Sequence, residues 1–210
     1  IVAACLDVYD TAKCRGRAPL INSIAETRME MVDLLDMMPC QVVVMTSEYL
    51  DEHGDARRTR RSDEVVGVAR KIVGKLANDR GVKNDDIFVD VTVNSMISDT
   101  EGLTKMALDA IAAIRSDPAM KDVHIIGGLT NIGNMVPKIE FDGMSLRMCL
   151  ENAFLTRAVP LGFDTVLGTP WNDFRPLPEG HDVLTAFDEV IELTGLDAMR
   201  RLRQIWAKKK

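Results

Sequence analysis

The stretch that decides the fold is Val123-His124-Ile125-Ile126-Gly127-Gly128-Leu129-Thr130-Asn131. Its apolar, β-branched start predicts a buried strand, and the small residues that follow end this strand at a polar amide, Asn131. In α/β proteins, ligands bind at the carboxyl ends of parallel strands. The stretch therefore predicts a ligand site at Asn131, where the glycines would let a flat ligand approach the backbone.

Similar apolar runs recur along the chain and predict six strands: Ile1–Leu6, Pro19–Ile24, Gln41–Thr46, Ile87–Val93, Val123–Leu129 and Phe163–Gly168. Their apolar residues are continuous rather than alternating, which is typical of parallel strands buried on both faces. Helical patterns lie between or after them, at 62–81, 103–114, 146–158 and 183–206, the last with a break expected at Gly195. This alternation predicts an α/β fold in one domain over residues 1–210, either an open doubly wound sheet or a (β/α)8 barrel.

Composition excludes several classes of protein. The chain of 210 residues is 46% hydrophobic and 28% charged, as in a globular domain. Its formal net charge of −6 argues against nucleic-acid binding. No apolar run reaches the roughly 18 residues of a membrane span. The histidines are not spaced as metal ligands, so no metal is expected.

The four cysteines favour a reducing, cytoplasmic location. Cys5, Cys14, Cys40 and Cys149 match no zinc or disulfide spacing. Cys5 and Cys40 fall in or beside strand-like runs and are expected to be core thiols.

Polar residues stand at the carboxyl ends of several predicted strands. Asp7 follows the first strand, Asn22 closes the second, Asp90 lies in the fourth and Asn131 follows the fifth. If these two carboxylates and two amides converge at one end of the sheet, they offer hydrogen-bonding groups but no activated nucleophile. Such a site would orient a planar ring rich in N–H donors. The alternatives are a turn or helix cap for Asp7 and Asn22, and a structural salt bridge for Asp90.

The ordered series of motifs resembles the methyltetrahydrofolate:corrinoid protein methyltransferases, pterin-binding enzymes related to the folate domain of cobalamin-dependent methionine synthase. The segments that carry the resemblance are Cys5-Leu6-Asp7, 13–23, Ile87-Phe88-Val89-Asp90, Gly128-Leu129-Thr130-Asn131-Ile132 and 147–155, so that it spans residue 1 to about residue 170. The resemblance implies a (β/α)8 TIM barrel of the pterin-binding type. The six predicted strands would be its third to eighth, with the first two βα units absent from this chain. The chain also lacks an initiator methionine and opens in an apolar run, so we expect its natural start to lie upstream.

The resemblance also implies an activity and a set of site residues. A methyl group would move between N5 of methyltetrahydrofolate and the cobalt of a cobalamin carried by a partner corrinoid protein. Asn131 would be the catalytic residue at N5, Asp90 and Asn22 would bind the pterin ring, and Asp7 and Arg147 are weaker pterin-binding candidates. For Arg147, a solvent-facing place on a helix is the alternative. Family members are commonly homodimers, and a homodimer is expected here.

Two other functions stay open. A dihydropteroate synthase-like pterin enzyme requires a lysine and a late Arg-x-His motif, whereas Arg200-Arg201-Leu202-Arg203 has no histidine. A non-catalytic subunit that binds a pterin or a corrinoid protein is the other alternative.

Two basic segments are candidate binding surfaces. The run Arg57-Arg58-Thr59-Arg60-Arg61 would attract the folate glutamate tail or an acidic corrinoid protein, unless it is only an exposed loop. The basic end of the chain, 199–210, is either a solvated final helix or a docking patch for a partner.

Overall fold

The structure is a computed structural model and describes residues 1–207. A five-stranded parallel sheet forms its centre. In chain order the strands of this part are β1 (Leu20–Ile24), β2 (Gln41–Met45), β3 (Glu48–Leu50), β4 (Ala56–Arg58), β5 (Ile87–Asp90), β6 (His124–Gly128), β7 (Glu140–Phe141), β8 (Met144–Ser145) and β9 (Thr165–Leu167). The parallel sheet has the order β1-β2-β5-β6-β9. The pairs β3-β4 and β7-β8 form separate antiparallel hairpins.

All but the first of the α-helices in the described residues follow the predicted apolar periods. Those of the described residues are α1 (Val2–Asp7), α2 (Ser62–Arg80), α3 (Leu103–Arg115), α4 (Leu146–Ala158), α5 (Asp182–Ile191) and α6 (Gly195–Ala207). Gly81 ends α2 in the left-handed conformation, at φ +64°, which glycine adopts without strain. The expected break at Gly195 is confirmed, since α5 and α6 are separate helices. The end of the predicted basic tail, 208–210, lies outside the described residues.

The order of the strands argues for the barrel type of winding. Each parallel strand lies next to its predecessor in the chain, so every crossover moves in the same direction. A doubly wound sheet would reverse direction at its middle. Within residues 1–207 the sheet stays open between β1 and β9, so the parallel α/β sheet is confirmed but no closed barrel is shown.

The prediction of a strand at Ile1–Leu6 is wrong, because Val2–Asp7 forms helix α1. Alanine and leucine favour a helix, and a short apolar run does not by itself distinguish the two structures. Only Leu6 of this helix is buried, and it packs in a small cluster with Ile21 and Cys40. Cys40 is thus a core thiol as expected, whereas Cys5 is exposed.

The two faces of the sheet differ in what covers them. One face packs against the helices through fully buried side chains, among them Val42, Val44, Ile87, Val89 and Ile125. The opposite face, which we call the open face, is uncovered at its edges, where Leu20 and Leu167 are each nearly half exposed. Burial on both faces, predicted from the apolar runs, therefore holds only in part, because the sheet is not closed.

Candidate functional site

Asn22 and Asp90 lie on the same face of the sheet. Asn22 is in register with Val43, and Val43 with Phe88. Phe88 and Asp90 are two residues apart on β5, and side chains at this spacing point to the same side of a strand. Both predicted pterin-binding residues therefore stand on the open face, but the prediction that Asn22 closes its strand is wrong, because β1 continues to Ile24.

Asp90 is a buried carboxylate at the carboxyl end of β5. Its residue is 8% exposed, and its Oδ1 accepts a hydrogen bond of 2.8 Å from the backbone N–H of Thr92. Burial raises the pKa of Asp90, and the Thr92 hydrogen bond opposes this shift only in part. No cation pairs with Asp90 among residues 1–207, so the salt bridge considered as its alternative role is not found there. A buried acceptor with one protein donor has capacity left for an N–H group of a ligand.

The end of β5 is fixed to its neighbours through hydroxyl groups. Thr46, the residue after β2, donates its Oγ1 hydrogen to the carbonyl oxygen of Asp90 over 2.6 Å. Thr59 in turn donates to the carbonyl oxygen of Thr46 over 2.8 Å. These buried hydrogen bonds hold the backbone that carries the carboxylate.

Asn131 lies beside the segment that leaves β5. Its Nδ2 donates to the carbonyl oxygen of Val93 over 3.2 Å, and Val93 follows Asp90 by three residues. Its Oδ1 faces Nδ2 of Asn134 at 3.4 Å. The structure thus brings Asn131, which is an exposed residue, next to the backbone that follows Asp90.

Arg147 holds the loop that carries Asn131. It lies in the first turn of α4, where its Nε donates to Oε1 of the fully buried Glu151 over 2.8 Å. Its Nη2 donates to the carbonyl oxygen of Thr130 over 3.2 Å. This geometry supports a positioning role for Arg147.

Two glycines, Gly127 in the deciding stretch and Gly133 just after it, have a packing role. A Cβ on Gly127 would lie 2.6 Å from Cγ2 of Val93, and one on Gly133 would lie 2.9 Å from both Cα and the carbonyl oxygen of Arg147. Real side chains do not tolerate such distances. These two glycines let β6 and the loop after it pack tightly on their neighbours, which is a different reason from the ligand approach predicted above.

Asp7 has no place at this edge, which corrects its predicted position at the end of a strand. It is an exposed residue at the end of α1. The preceding residue, Leu6, packs against Ile21 and Cys40, near the amino-terminal ends of β1 and β2. Asp7 therefore belongs to the opposite end of the sheet from Asp90 and Asn131.

The arginine run is mostly neutralised by acids. Arg57 pairs with Asp51 at 2.7 Å, Arg60 pairs with Glu101, and Arg61 donates to Asp63 over 2.9 Å. Within the described part of the chain, Arg58 has no ion pair. The hairpin β3-β4 and the segment after it thus form a mixed-charge surface rather than a uniform cationic patch.

Sequence reasoning missed Glu151 and Thr92. Glu151 follows Arg147 by four residues on a helix, and this spacing is a known signal for an ion pair. Thr92 gives no such signal, yet it has a φ of +59°, which is rare for a β-branched residue, and its Oγ1 is buried without a hydrogen-bond partner in the described structure.

Replacing Arg147 by alanine is expected to lower the free energy of unfolding at pH 7 by about 2–3 kcal/mol, because the buried Glu151 would lose its cation. Burial already raises the pKa of Glu151 above its ordinary 4.5, and Arg147 opposes that shift. The ionised carboxylate of Glu151 is therefore the form that costs the folded protein stability. The loss of unfolding free energy in Arg147→Ala should shrink as the pH falls toward 4.5, because Glu151 then takes up a proton.

Urea denaturation at pH 7 and pH 5 would measure this loss. Arg200→Ala is the matched control, since Arg200 pairs with Asp197 on an exposed surface and its removal should matter little. An equal loss at both pH values in Arg147→Ala would contradict the role assigned to the buried carboxylate.

Two features are absent from residues 1–207. No helix in this range has both the length and the apolar character needed to cross a bilayer. No group of three or more histidine, cysteine, aspartate or glutamate side chains in this range is arranged to hold a metal ion.

The fold and the site together define an α/β protein with a parallel sheet whose crossovers all run in one direction. The buried carboxylate of Asp90 ends β5 of this sheet, and the amide of Asn131 lies just after β6. The family model described as pterin binding enzyme matches residues 5–167, and the chain belongs to this family, whose fold is of the TIM-barrel type. The match covers nearly the same stretch as the resemblance found in the sequence and confirms its pterin-binding part. A comparison with curated proteins gave no match.

Proposed function

We propose that this chain moves a methyl group between N5 of tetrahydrofolate and the cobalt of a corrinoid protein. The observation that carries the proposal is the pairing of a buried, incompletely satisfied Asp90 with an adjacent amide, Asn131, in a pterin-binding enzyme. The acceptor suits the N–H groups of a pterin ring, and the amide suits a nitrogen that changes its protonation state.

The three polar residues would divide the work of holding the ring. Asp90 would accept hydrogen bonds from the ring N–H and the exocyclic amine of the pterin. Asn22, exposed on the same face, would bind the remaining polar edge. Asn131 would face N5, where its amide can present either a donor or an acceptor.

In this reaction the protein has to orient the ligand and control a proton, and it does not have to supply a nucleophile. When the methyl carbon bonds to cobalt, its bond to N5 breaks and the electron pair stays on N5, which must gain a proton or a strong hydrogen bond to leave. Cobalt of the partner supplies the attacking electron pair. Asp90, Asn22 and Asn131 include no activated nucleophile, which is consistent with this division of roles.

Two measurements test the proposal. Titration calorimetry should show binding of 5-methyltetrahydrofolate, and visible spectroscopy should then show cob(I)alamin converted to methylcobalamin by the loaded protein. Condensation of p-aminobenzoate with an activated dihydropterin would instead identify a dihydropteroate synthase-like enzyme. Tight folate binding with no transfer to cobalt would favour a non-catalytic binding subunit.

A further inference from the structure

The amide of Asn131 lies beside Gly128, the last residue of β6. A Cβ built on Gly128 would lie 3.0 Å from Nδ2 of Asn131. Gly128 follows Ile126 by two residues, and Ile126 is in register with Asp90, so this Cβ would point to the open face. The amide of Asn131 therefore stands over the same face as the carboxylate of Asp90, one strand further along the sheet.

Leu167 is the next side chain on this face, on the edge strand β9. It is in register with Gly128, and β6 and β9 are neighbours in the sheet. Gly128 contributes no side chain beside Leu167, which is 46% exposed. Because neighbouring strands lie about 4.8 Å apart, the apolar side chain of Leu167 borders the place that the amide of Asn131 occupies.

The loop after β9 presents a second apolar side chain, Trp171, which is 86% exposed. This loop is anchored directly after Trp171. Nδ2 of Asn172 donates to Oε2 of the buried Glu151 over 3.5 Å, and Nδ2 of the buried Asn152 donates to the backbone two residues after Trp171 over 3.1 Å. Glu151 and Asn152 lie on α4, the helix whose Arg147 holds the loop after β6. The exposed indole group therefore belongs to a loop that is fixed in place beside the site.

The order of the strands matches the order of the parts of a reduced folate. The proposed function has the ring N–H groups at Asp90 on β5 and N5 at Asn131 after β6. N5 is bonded to C6, and C6 carries the arm that leads to the p-aminobenzoyl group and then to the glutamate. The arm therefore starts at the end of the ring that lies away from Asp90, and β9 is the next strand in that direction. The exposed side chains there, Leu167 and Trp171, are apolar, which suits a planar aryl group.

We propose that Leu167 and Trp171 bind the p-aminobenzoyl ring of the folate, with the indole group packed against this ring. The inference rests on the proposed function, which supplies the folate, and adds the direction in which the arm leaves the ring site. Packing of the aryl ring on these two side chains contributes affinity that a pterin without the arm does not gain. The two residues therefore select pterins that carry an aryl arm over simple pterins.

Calorimetry on the 210-residue chain with three probes tests this selection. The first probe, 5-methyltetrahydrofolate, carries the aryl group and the glutamate, the second, 5-methyltetrahydropteroate, carries the aryl group alone, and the third, 5,6-dimethyltetrahydropterin, carries neither. Trp171→Ala should weaken binding of the first two probes about tenfold and Leu167→Ala about threefold, with the third probe unchanged in both variants. Trp171→Phe keeps an aromatic face and should retain most of the affinity.

Met135→Ala is the matched control. Met135 is 85% exposed, in the loop after β6, and it follows Asn134, whose carbonyl oxygen accepts a hydrogen bond from Oγ of Ser95 in the segment after β5. This contact ties that end of the loop to the segment after β5 rather than to β9. Met135→Ala should therefore leave the ratios of the three affinities unchanged.

The outcomes separate the aryl site from the proposed function. An equal loss for all three probes in Trp171→Ala overturns the aryl site, and so does a loss confined to the folate, which would place the glutamate at Trp171. The same loss in Met135→Ala, or unchanged binding in both Trp171→Ala and Leu167→Ala, also overturns the aryl site and leaves the proposed function standing. If the unaltered chain binds none of the probes, both proposals fail. The expected losses without methyl transfer to cobalt would contradict the proposed activity alone.

Discussion

Replacing Asp90 by alanine is expected to weaken binding of 5-methyltetrahydrofolate by about 2–4 kcal/mol, because the pterin N–H groups would lose their buried acceptor. The loss should be the same for a pterin without a tail, since Asp90 would contact only the ring. Titration calorimetry with both ligands measures it. Asp109→Asn, an exposed carboxylate on α3, is the control and should change neither affinity.

Asp90→Asn separates binding from folding. Burial raises the pKa of Asp90 above its ordinary 3.8, so the ionised carboxylate costs the folded protein stability. That cost is absent below pH 3.8 and grows as the pH rises through the raised pKa of the folded state. Asparagine keeps an acceptor for the Thr92 N–H and carries no charge. We therefore expect Asp90→Asn to be at least as stable as the parent chain at pH 7 while it loses ligand affinity.

Thermal unfolding and titration calorimetry of Asp90→Asn would together check that the variant keeps its stability while it loses ligand affinity. A variant that loses stability at pH 7 and still binds the pterin normally would show that Asp90 is a structural residue. Sites that trade stability for function in this way are common among natural enzymes.

The sequence predicted most of the sheet because its strands carry strong local signals. The β-branched runs at 41–45, 87–90 and 124–128 fit a pleated, buried backbone, and all three form parallel strands. Asp90 could be singled out for the same reason, since a carboxylate in such a run needs a partner. The burial of its side chain agrees with that reasoning.

The parts of the fold and of the site that the sequence did not predict depend on tertiary contacts, which the sequence alone does not reveal. Ile1–Leu6 has the apolar character of a strand, but α1 forms there because nothing in the described chain pairs with it and its alanines favour a helix. Arg58 resembles Arg57, Arg60 and Arg61 in sequence, and only the placement of Asp51, Glu101 and Asp63 distinguishes it. Similarly, the unpaired hydroxyl of Thr92 belongs to a residue whose backbone conformation no local sequence motif predicts.

Replacing Asn131 by alanine is expected to slow methyl transfer about 100-fold while it weakens folate binding by about threefold or less. The reason is that a hydrogen bond to N5 matters most when the N5–carbon bond is breaking, and stabilisation confined to the transition state raises the rate without tightening ground-state binding. Single-turnover spectroscopy of cobalt methylation gives the rate, and calorimetry gives the Kd.

Asn134→Ala is the matched control for Asn131→Ala. Asn134 meets Oδ1 of Asn131 at 3.4 Å, a long contact, and follows it in the same loop, so its loss should leave most of the rate intact. Equal losses of rate and affinity in Asn131→Ala would mean that the amide only helps to hold the ring. A normal rate in Asn131→Ala would mean that this amide does not act at N5.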